Sequence, residues 1–405
     1  MKLISRRVGT EPRKDRVRTK PRKERVGTKP PEKRVRTELL KERVRSLVAK
    51  CAGMKPFTKR VLIVNAAALA LALVCLAVCL SLSGRLESQK AAARWAGDGA
   101  GDYAQLSCFM GGSDSLDLGQ IYTFRLALEN RMAEEALEFP ENARPYADAW
   151  SAVRSLNVSG AHGSGRATAT AVGGDFFFFH PFRLLSGSYI AEGDYMDDRV
   201  VLDRELAWRL YGSDDLAGLT VEVEGVPFVV AGVIDRDRDS ASQKAQSASM
   251  GLYLSYSAYR RLENADEAIG CYEIVMPEPV RGFAESFMKE QFPLGGGELV
   301  VNSGRFGVGG SWSILRDFGT RSMRLTDVVY PDWENAARYL GDWCALLLGV
   351  ALALALCPAV TVCAALGLGL IRGCRYLAKK LPALVSEAVD RSRKKRYARR
   401  KETKG

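Results

Sequence analysis

Carboxylates, histidines and cysteines are the side chains of this 405-residue sequence with which chemistry could be done. Acidic pairs at 197–198 and 214–215 and an Asp-Arg-Asp-Arg-Asp run at 235–239 supply carboxylates, which can act as general acids and bases. The last run leads into the Ser-, Ala- and Gln-rich residues 240–249. Such clusters more often form solvated loops than active sites, so they define no catalytic centre.

The two histidines, His162 and His180, do not indicate catalysis or metal binding. His162 lies in a Gly/Ser segment without the G-x-S-x-G pattern of a nucleophile elbow. His180 precedes Pro181 in an apolar stretch interpreted as a strand, where a structural role is expected. No nucleophile, base and orienting acid can be assigned, and no second ligand pair accompanies the cysteines. The sequence therefore predicts no enzymatic activity, no catalytic residue and no metal site.

Of the nine cysteines, only Cys108 and Cys271 fall between two long apolar runs and away from their ends. A pair in an extracytoplasmic domain permits one disulfide. Two independently buried thiols explain the same residues equally well. Both interpretations stay open at the level of the sequence.

The first apolar run, Val61–Leu82, contains 22 residues without a charge and is flanked by Lys59, Arg60 and Arg85. At ~1.5 Å per residue it is long enough to cross a hydrocarbon core of ~30 Å. A cleaved signal peptide would have a shorter apolar region, ~7–15 residues, followed by a small-residue cleavage site. The run therefore favours an uncleaved transmembrane helix.

The second apolar run, Cys344–Ile371, contains 28 uncharged residues with Pro358 near its middle. It is too short for two crossings, so one tilted or kinked helix is predicted. Aromatic and basic residues, which anchor helices at membrane interfaces, flank it. They are Trp333, Tyr339 and Trp343 before the run and Arg372, Arg375 and Tyr376 after it.

Charge is distributed unevenly along the chain, whose formal net charge is +12. Residues 1–60 hold 22 Lys and Arg against 6 Asp and Glu, net +16, and residues 372–405 hold 13 against 3, net +10. Residues 61–371 therefore carry −14. Because basic segments stay in the cytoplasm, both tails are predicted to be cytoplasmic and residues 85–342 to lie outside the membrane.

The N-terminal tail, 1–60, repeats Arg-Val every nine residues from Arg7 to Val44. Its charge and prolines predict disorder, with a helix at Glu38–Ala49. Two interpretations stay open: the tail binds anionic lipids, or it is a basic leader without a dedicated partner. Binding of nucleic acid is disfavoured because no aromatic residues interleave the basic ones.

In the C-terminal tail, Leu377–Val389 has helical apolar spacing, which fits either a membrane-surface helix or a juxtamembrane helix that fixes topology.

Regular elements can be assigned in the first part of the external segment. Tyr103–Met110 reads as a strand and Gln120–Leu137 as an amphipathic helix with Ile121, Phe124, Leu128, Met132 and Leu137 on one side. A further helix is predicted at Tyr146–Leu156. The Gly-, Ser- and Ala-rich residues 159–170 follow it without an assigned element.

The stretch from Arg199 to Ile234 has clearer boundaries. Arg199–Leu202 reads as a strand, followed by a helix at Arg204–Tyr211 with Asp203 as its N-cap and Gly212 as its stop. Two more strands, 219–223 and 226–234, are joined by Glu-Gly at 224–225, which suits a two-residue hairpin turn.

Residues 175–234 resemble the periplasmic core domain of MacB-type ABC transporter permeases. That family shows a Phe-rich strand, an LLSG motif with a later Asp, and a VVLD…LA…G pattern followed by PF and VVGV. The residues that match most specifically are Leu185, Ser186, Gly187, Asp194, Leu202, Asp203, Ala207, Gly212, Gly218, Pro227, Phe228 and Gly232. Other segments, including Tyr330–Arg338, are similar to short ABC transporter permease chains of Gram-positive bacteria.

The resemblance implies an α+β external domain of packed βαβ-type modules between two transmembrane helices, in the cell membrane of a bacterium. It implies a permease-like subunit whose external domain couples a separate cytoplasmic ABC ATPase to motion or transport outside the membrane. Two features depart from the family: one apolar run follows the domain where three are usual, and no P-loop is present. Further permease subunits are therefore expected, with no cofactor in this chain and ATP bound by the partner.

A second hypothesis is a membrane-anchored adaptor that docks an extracellular protein, peptide or envelope component without transport. Small residues within the spans, at 66–70 and 367–369, permit helix association, including a homo-oligomer. They do not separate the two hypotheses. A neighbouring reading frame that encodes a P-loop ATPase would favour the first.

Overall fold

The computed structural model describes residues 42, 55–97, 102–111, 116–137, 139, 143–236, 239–245, 250–262, 268–319 and 328–402, without the side chains of 383 and 393–402. The chain divides into two compact units, Met1–Val64 and Asn65–Gly405. In the first unit, the residues from Pro56 onward are helical. The nine-residue repeat, the helix predicted at Glu38–Ala49 and Cys51 lie outside the described residues, except for residue 42.

The described helices are α1 Pro56–Ser83, α2 Ala91–Ala96, α3 Leu118–Glu134, α4 Phe176–Phe179, α5 Arg204–Tyr211, α6 Ser240–Ala245, α7 Tyr256–Tyr259, α8 Phe283–Gln291, α9 Val308–Arg316 and α10 Asp332–Glu402. The strands are β1 Tyr103–Phe109, β2 Ala147–Gly160, β3 Gly163–Gly174, β4 Arg183–Gly187, β5 Arg199–Asp203, β6 Thr220–Val223, β7 Val226–Asp235, β8 Met250–Ser255, β9 Cys271–Pro277 and β10 Glu298–Val301. Helices and strands thus alternate irregularly, which confirms the α+β class.

All ten strands belong to one mixed sheet with the order β10-β1-β9-β2-β3-β8-β5-β7-β4, and β6 pairs with both β2 and β7. The long β2–β3 hairpin crosses its middle. Pairs β3–β8 and β5–β7 are parallel, and the other pairs are antiparallel. A crossover through α5 links β5 to the β6–β7 hairpin.

The central strands of the sheet, such as β5 and β9, are buried on both faces. Val200 and Leu202 of β5 point into a core that includes α3, α5 and α8, whereas Val201 between them packs with Phe176 and Phe179 on the opposite face. This follows from the alternation of side chains along a strand. Close packing on both faces makes this part of the sheet rigid.

Several local predictions are confirmed. The strand at β1, helix α3 with four of its five predicted apolar residues buried, strand β5 and helix α5 all form. Leu137, the fifth, lies beyond the end of α3 and packs at the edge of the core. Gly212 ends α5 in the left-handed conformation, φ 70°. The β6–β7 turn at 224–225 also has positive φ at both positions, 48° and 79°, as a type I′ hairpin requires.

Two local predictions are wrong. Tyr146–Leu156 is not a helix: it forms most of β2, and the Gly/Ser/Ala-rich residues after it complete the β2–β3 hairpin. Its outer half alternates, with Leu156 and Val158 buried between exposed neighbours, which is a strand period of two. The Phe-rich segment is not a strand but the single helical turn α4, which His180 ends.

Within the part of the chain that the structure describes, helices α1 and α10 are the two that are long and apolar enough to cross a membrane. They pack together through Ala72, Cys75 and Ala351, and Asn65 donates a 2.7 Å hydrogen bond to Thr361. Helix α10 is continuous over 71 residues, with Pro358 and Pro382 inside it. The apolar residues from Leu377 to Val389 are part of this helix.

Candidate functional site at the membrane junction

Asp203, predicted as a helix cap, lies at the centre of a structural hydrogen-bond cluster. One carboxylate oxygen accepts from Leu206 N at 2.7 Å, and the other accepts from Gly251 N at 2.5 Å and faces Arg236 Nε at 3.1 Å. Burial raises the pKa of Asp203 even though these donors oppose the shift. The residue thus ties β5, α5 and β8 together.

Two motif glycines meet where β4 pairs with β7. Gly187 lies opposite Gly232, and Gly187 has a φ of 72°. A Cβ on Gly187 would stand 2.0 Å from Ala231 O, and one on Gly232 would stand 2.5 Å from Ser188 O. Only glycine permits this close approach of two backbones.

The other motif residues also shape this lobe, which runs from β4 to β7 and is called the motif lobe below. Ser186 Oγ donates to Asp214 O at 2.6 Å, and Asp194 accepts from Ala191 N at 3.1 Å. Gly218 has a φ of 88°. Leu202, Ala207 and Phe228 are buried, Leu185 packs at the edge of the core, and Pro227 pairs with Glu222.

The acidic pairs at 197–198 and 214–215 do not come together in one site. Asp197 faces Arg261 at 3.5 Å, and Asp214 faces Arg204 at 3.7 Å, both on the surface. Over the described residues, no three His, Cys, Asp or Glu side chains come close enough to hold a metal ion.

Cys108 and Cys271 are both free and buried. They lie on the paired strands β1 and β9, where Cys108 is opposite Tyr272 and Cys271 is opposite Phe109. This one-residue offset sends their side chains to opposite faces, into different clusters. Burial raises the pKa of both thiols, and nearby Glu273 adds to the shift. The structure has two separate buried thiols, not a disulfide.

A cluster of charges ties the sheet to the start of α10. Glu334, 1% exposed, accepts from both terminal nitrogens of Arg305 at 2.7 Å each and from Arg338 Nε at 2.8 Å. Arg338 also donates to Glu298 of β10 at 2.9 Å. Tyr330 donates its hydroxyl to Glu298 and lies under the Arg338 guanidinium, 3.8 Å from ring centroid to Cζ. These five residues are called the junction cluster.

A second connection runs from α10 through aromatic rings. Trp333 packs on His180, with ring centroids 4.3 Å apart, and His180 Nε2 lies 2.5 Å from Glu273 Oε2 on β9. Glu273 Oε1 accepts from Ser107 of β1 at 3.1 Å, and Ser107 accepts from Asn302 at 2.6 Å. Ring packing and a chain of hydrogen bonds therefore connect the first turn of α10 to β9, β1 and the residue after β10.

The end of α1 and helix α6 contact α10 next to the junction cluster. Cys79 and Leu86 pack with Ala241 of α6 and with Ala337 and Leu340 of α10. Both apolar helices and the external domain therefore share one packed region.

Buried, mutually satisfied ion pairs hold their partners in fixed geometry, because losing one partner leaves the others charged and unsolvated. At the centre of the junction cluster, buried Glu334 meets this condition: Arg305 uses both arms of its fork on its carboxylate, and Arg338 bridges it to Glu298 at the half-buried edge of the cluster. The cluster therefore holds the start of α10 in a fixed position against the sheet.

In the sequence, Tyr330–Arg338 is recognisable only by its similarity to short permease chains, and no role for its charged residues is predicted. A signal was present: Glu334 and Arg338 are four residues apart, so they share a helix face. Their other partners, Glu298 and Arg305, are distant in sequence, and no local pattern points to them.

These features define the class: an α+β external domain held on two helices that can span a membrane. The family follows from a comparison of sequences, in which a family model described as the MacB-like periplasmic core domain matches residues 63–277. The match covers more than half of the 405 residues, and the chain belongs to this family. The match ends at the end of β9, before every residue of the junction cluster.

Solved structures with a similar fold include the periplasmic region of MacB from Actinobacillus actinomycetemcomitans, at 15% identity and a TM-score of 0.37. That comparison covers 55% of this chain and 94% of the other. The extracellular domain of the noncanonic ABC-type transporter YknZ from Gram-positive bacteria is similar at 12% identity and a TM-score of 0.34, covering 49% and 99%. No curated protein matches the chain.

Proposed function

We propose that this chain is a permease-like subunit of an ABC-type membrane assembly, in which the external domain receives movement from α10 and relays it outside the membrane. The observation that carries the proposal is the junction cluster, which fixes the first two turns of α10 to Arg305 and to β10 through ion pairs centred on the buried Glu334. Membership of the MacB-like family supports it, because ABC systems couple an ATPase to the membrane part.

The shape of α10 supports the proposal independently. The helix begins at the junction, contains the apolar span Cys344–Ile371 and continues to Glu402. The part after the span is ~45 Å long at ~1.5 Å per residue. In the proposed topology, with both tails in the cytoplasm, one unbroken helix would connect a cytoplasmic ATPase to the sheet outside.

In this proposal the chain performs no catalytic step and holds no cofactor. ATP would bind and be hydrolysed on the separate ATPase, and further permease subunits would complete the membrane part. The basic residues after the span, net +10 over 372–405, would lie against anionic lipid head groups and keep this end inside.

A gentle-detergent pull-down from native membranes, read by mass spectrometry, tests the proposal. We expect an ABC ATPase and a further permease subunit in stoichiometric amounts. A matched control is the chain truncated after Leu377, which keeps the span and the external domain but lacks the cytoplasmic part of α10. It should lose the ATPase and keep any external partner. Recovery of only envelope proteins or of the chain itself would contradict the proposal and support the adaptor hypothesis.

A further inference from the structure

Helix α9 packs against α10. It starts next to the junction cluster, where a Cβ on Gly310 would stand only 2.0 Å from Arg305 O. Further along, Ile314 Cδ1 lies 3.0 Å from where a Cβ on Gly341 would be, and the Leu315 methyl groups lie 3.8 Å from that of Gly349. One face of α9 thus packs against two glycines of α10, Gly341 and Gly349.

These contacts fix the height of α9 relative to the membrane. Gly341 comes three residues before the apolar span begins at Cys344, and Gly349 comes five residues after. At ~1.5 Å per residue, Leu315 therefore contacts α10 at a level ~8 Å inside the span. Helices that lie in a membrane interface bury their apolar face by a similar amount, ~5–10 Å.

The face of α9 that turns away from α10 is uncovered and carries large apolar side chains, with Ser313 and Arg316 beside them. Val308 and Trp312, four residues apart on one side of the helix, are 66% and 52% exposed, and Phe318 just after the helix is 49% exposed. Tryptophan is enriched at membrane interfaces because its ring is apolar and its N–H is polar. Arg316 and Asp317 form a pair at the helix end, with two contacts of 2.9 Å, so their charges compensate each other.

We infer that α9 is a membrane-interface helix, whose exposed side, Val308, Trp312 and Phe318, is inserted at the boundary between lipid head groups and acyl chains. The occupant of this side is lipid, because the side is continuous with the apolar span of α10 at the same depth. Helix α9 then holds the external domain at a set height on the bilayer, next to the junction cluster. This role requires no ATPase and is independent of the proposed function.

The test is quenching of tryptophan fluorescence by phospholipids brominated near the glycerol end of the acyl chains, with the purified full chain in vesicles. Six tryptophans contribute, and Trp343 at the end of the span is quenched in every variant. Removing a quenched tryptophan lowers the quenched fraction of the signal, and removing an unquenched one raises it. We therefore expect Trp312→Phe to lower this fraction.

The matched control is Trp208→Phe, because Trp208 on α5 is equally exposed, 52%, but belongs to the motif lobe. This variant should raise the quenched fraction. If Trp312→Phe leaves the fraction unchanged or raises it as Trp208→Phe does, Trp312 is not in contact with lipid and the inference is overturned. A conservative Phe in either place keeps the exposed face apolar, so folding is preserved in both variants.

Discussion

The motif lobe and the junction cluster hold the external domain together by different means. In the motif lobe, close backbone approach at Gly187 and Gly232 and the capping carboxylate of Asp203 set the course of the chain. In the junction cluster, ion pairs centred on the buried Glu334 fix α10 to β10 and Arg305. The family match includes the first region and ends before the second.

This difference separates what makes the fold from what attaches it to the membrane. Glycines and a cap define one backbone path and are recognisable in a sequence, so they carry the family resemblance. The junction cluster depends on charge pairs between distant segments, for which several residue choices would serve. The proposed function therefore rests on the junction cluster, whereas the motif residues make the structural contacts of the lobe.

The largest expected effect is at the centre of the junction. Glu334→Ala removes a buried acceptor and leaves Arg305 and Arg338, whose side chains are 10% and 20% exposed, with fewer partners, which costs ~3–5 kcal/mol of stability. The midpoint of thermal unfolding in detergent should fall accordingly. Glu285→Ala, which breaks the exposed Glu285–Lys289 pair on α8, is the control and should cost only ~0.5 kcal/mol. Similar midpoints for both variants would contradict the importance of the cluster.

A somewhat smaller loss is expected in the motif lobe from Gly187→Ala. The added Cβ would overlap Ala231 O, and the positive φ disfavours any side chain, so we expect a loss of ~3 kcal/mol. Gly193→Ala is the matched control, because nothing lies within 4 Å of its Cβ position. That variant should unfold at the wild-type midpoint or slightly above it. Equal destabilisation by both would show that the close approach is not required.

Asp203→Ala should cost less, ~2 kcal/mol, because it removes one helix cap and an acceptor for the Gly251 amide. Asp203→Asn retains one accepting oxygen and should recover about half of the loss. Urea unfolding measures both values. A neutral Asp203→Ala would mean that the cap contributes nothing to the lobe.

The smallest perturbation is chemical labelling of the thiols, which changes no residue. Burial raises the pKa of Cys108 and Cys271, so neither should react with a maleimide at neutral pH in the folded chain, whereas the exposed Cys374 should. After unfolding without a reductant, all nine cysteines should be labelled. Labelling of only seven of the nine cysteines would show that Cys108 and Cys271 form a disulfide and that the register of β1 and β9 is different.

The sequence was most informative where one residue type determines a local geometry. Asp203 and Gly212 marked the ends of α5, and Glu-Gly marked the β6–β7 turn. It was misleading at β2, because Ala, Trp and Leu there fit either a helix or a strand that is buried on both faces, and only pairing with β3 and β9 decides.

The junction could not be derived from the sequence for a related reason. Glu298 and Arg338 are forty positions apart, and nothing in either local pattern indicates that folding brings them within 2.9 Å. The apolar spans identified which helix enters the membrane, but not the side chains that hold it to the sheet. Helix α9 likewise shows its role only through its contacts with α10 at Gly341 and Gly349.

Hydrogen exchange in the co-purified complex tests the central claim most directly, namely that movement of α10 reaches the sheet through the junction cluster. Exchange of the amides in β1 and β10 would be compared with and without ATP, for the wild type and for Glu334→Gln. We predict a nucleotide-dependent change in the wild type that disappears in Glu334→Gln while the ATPase stays bound. The same change in both proteins, or no change in the wild type, would contradict the account.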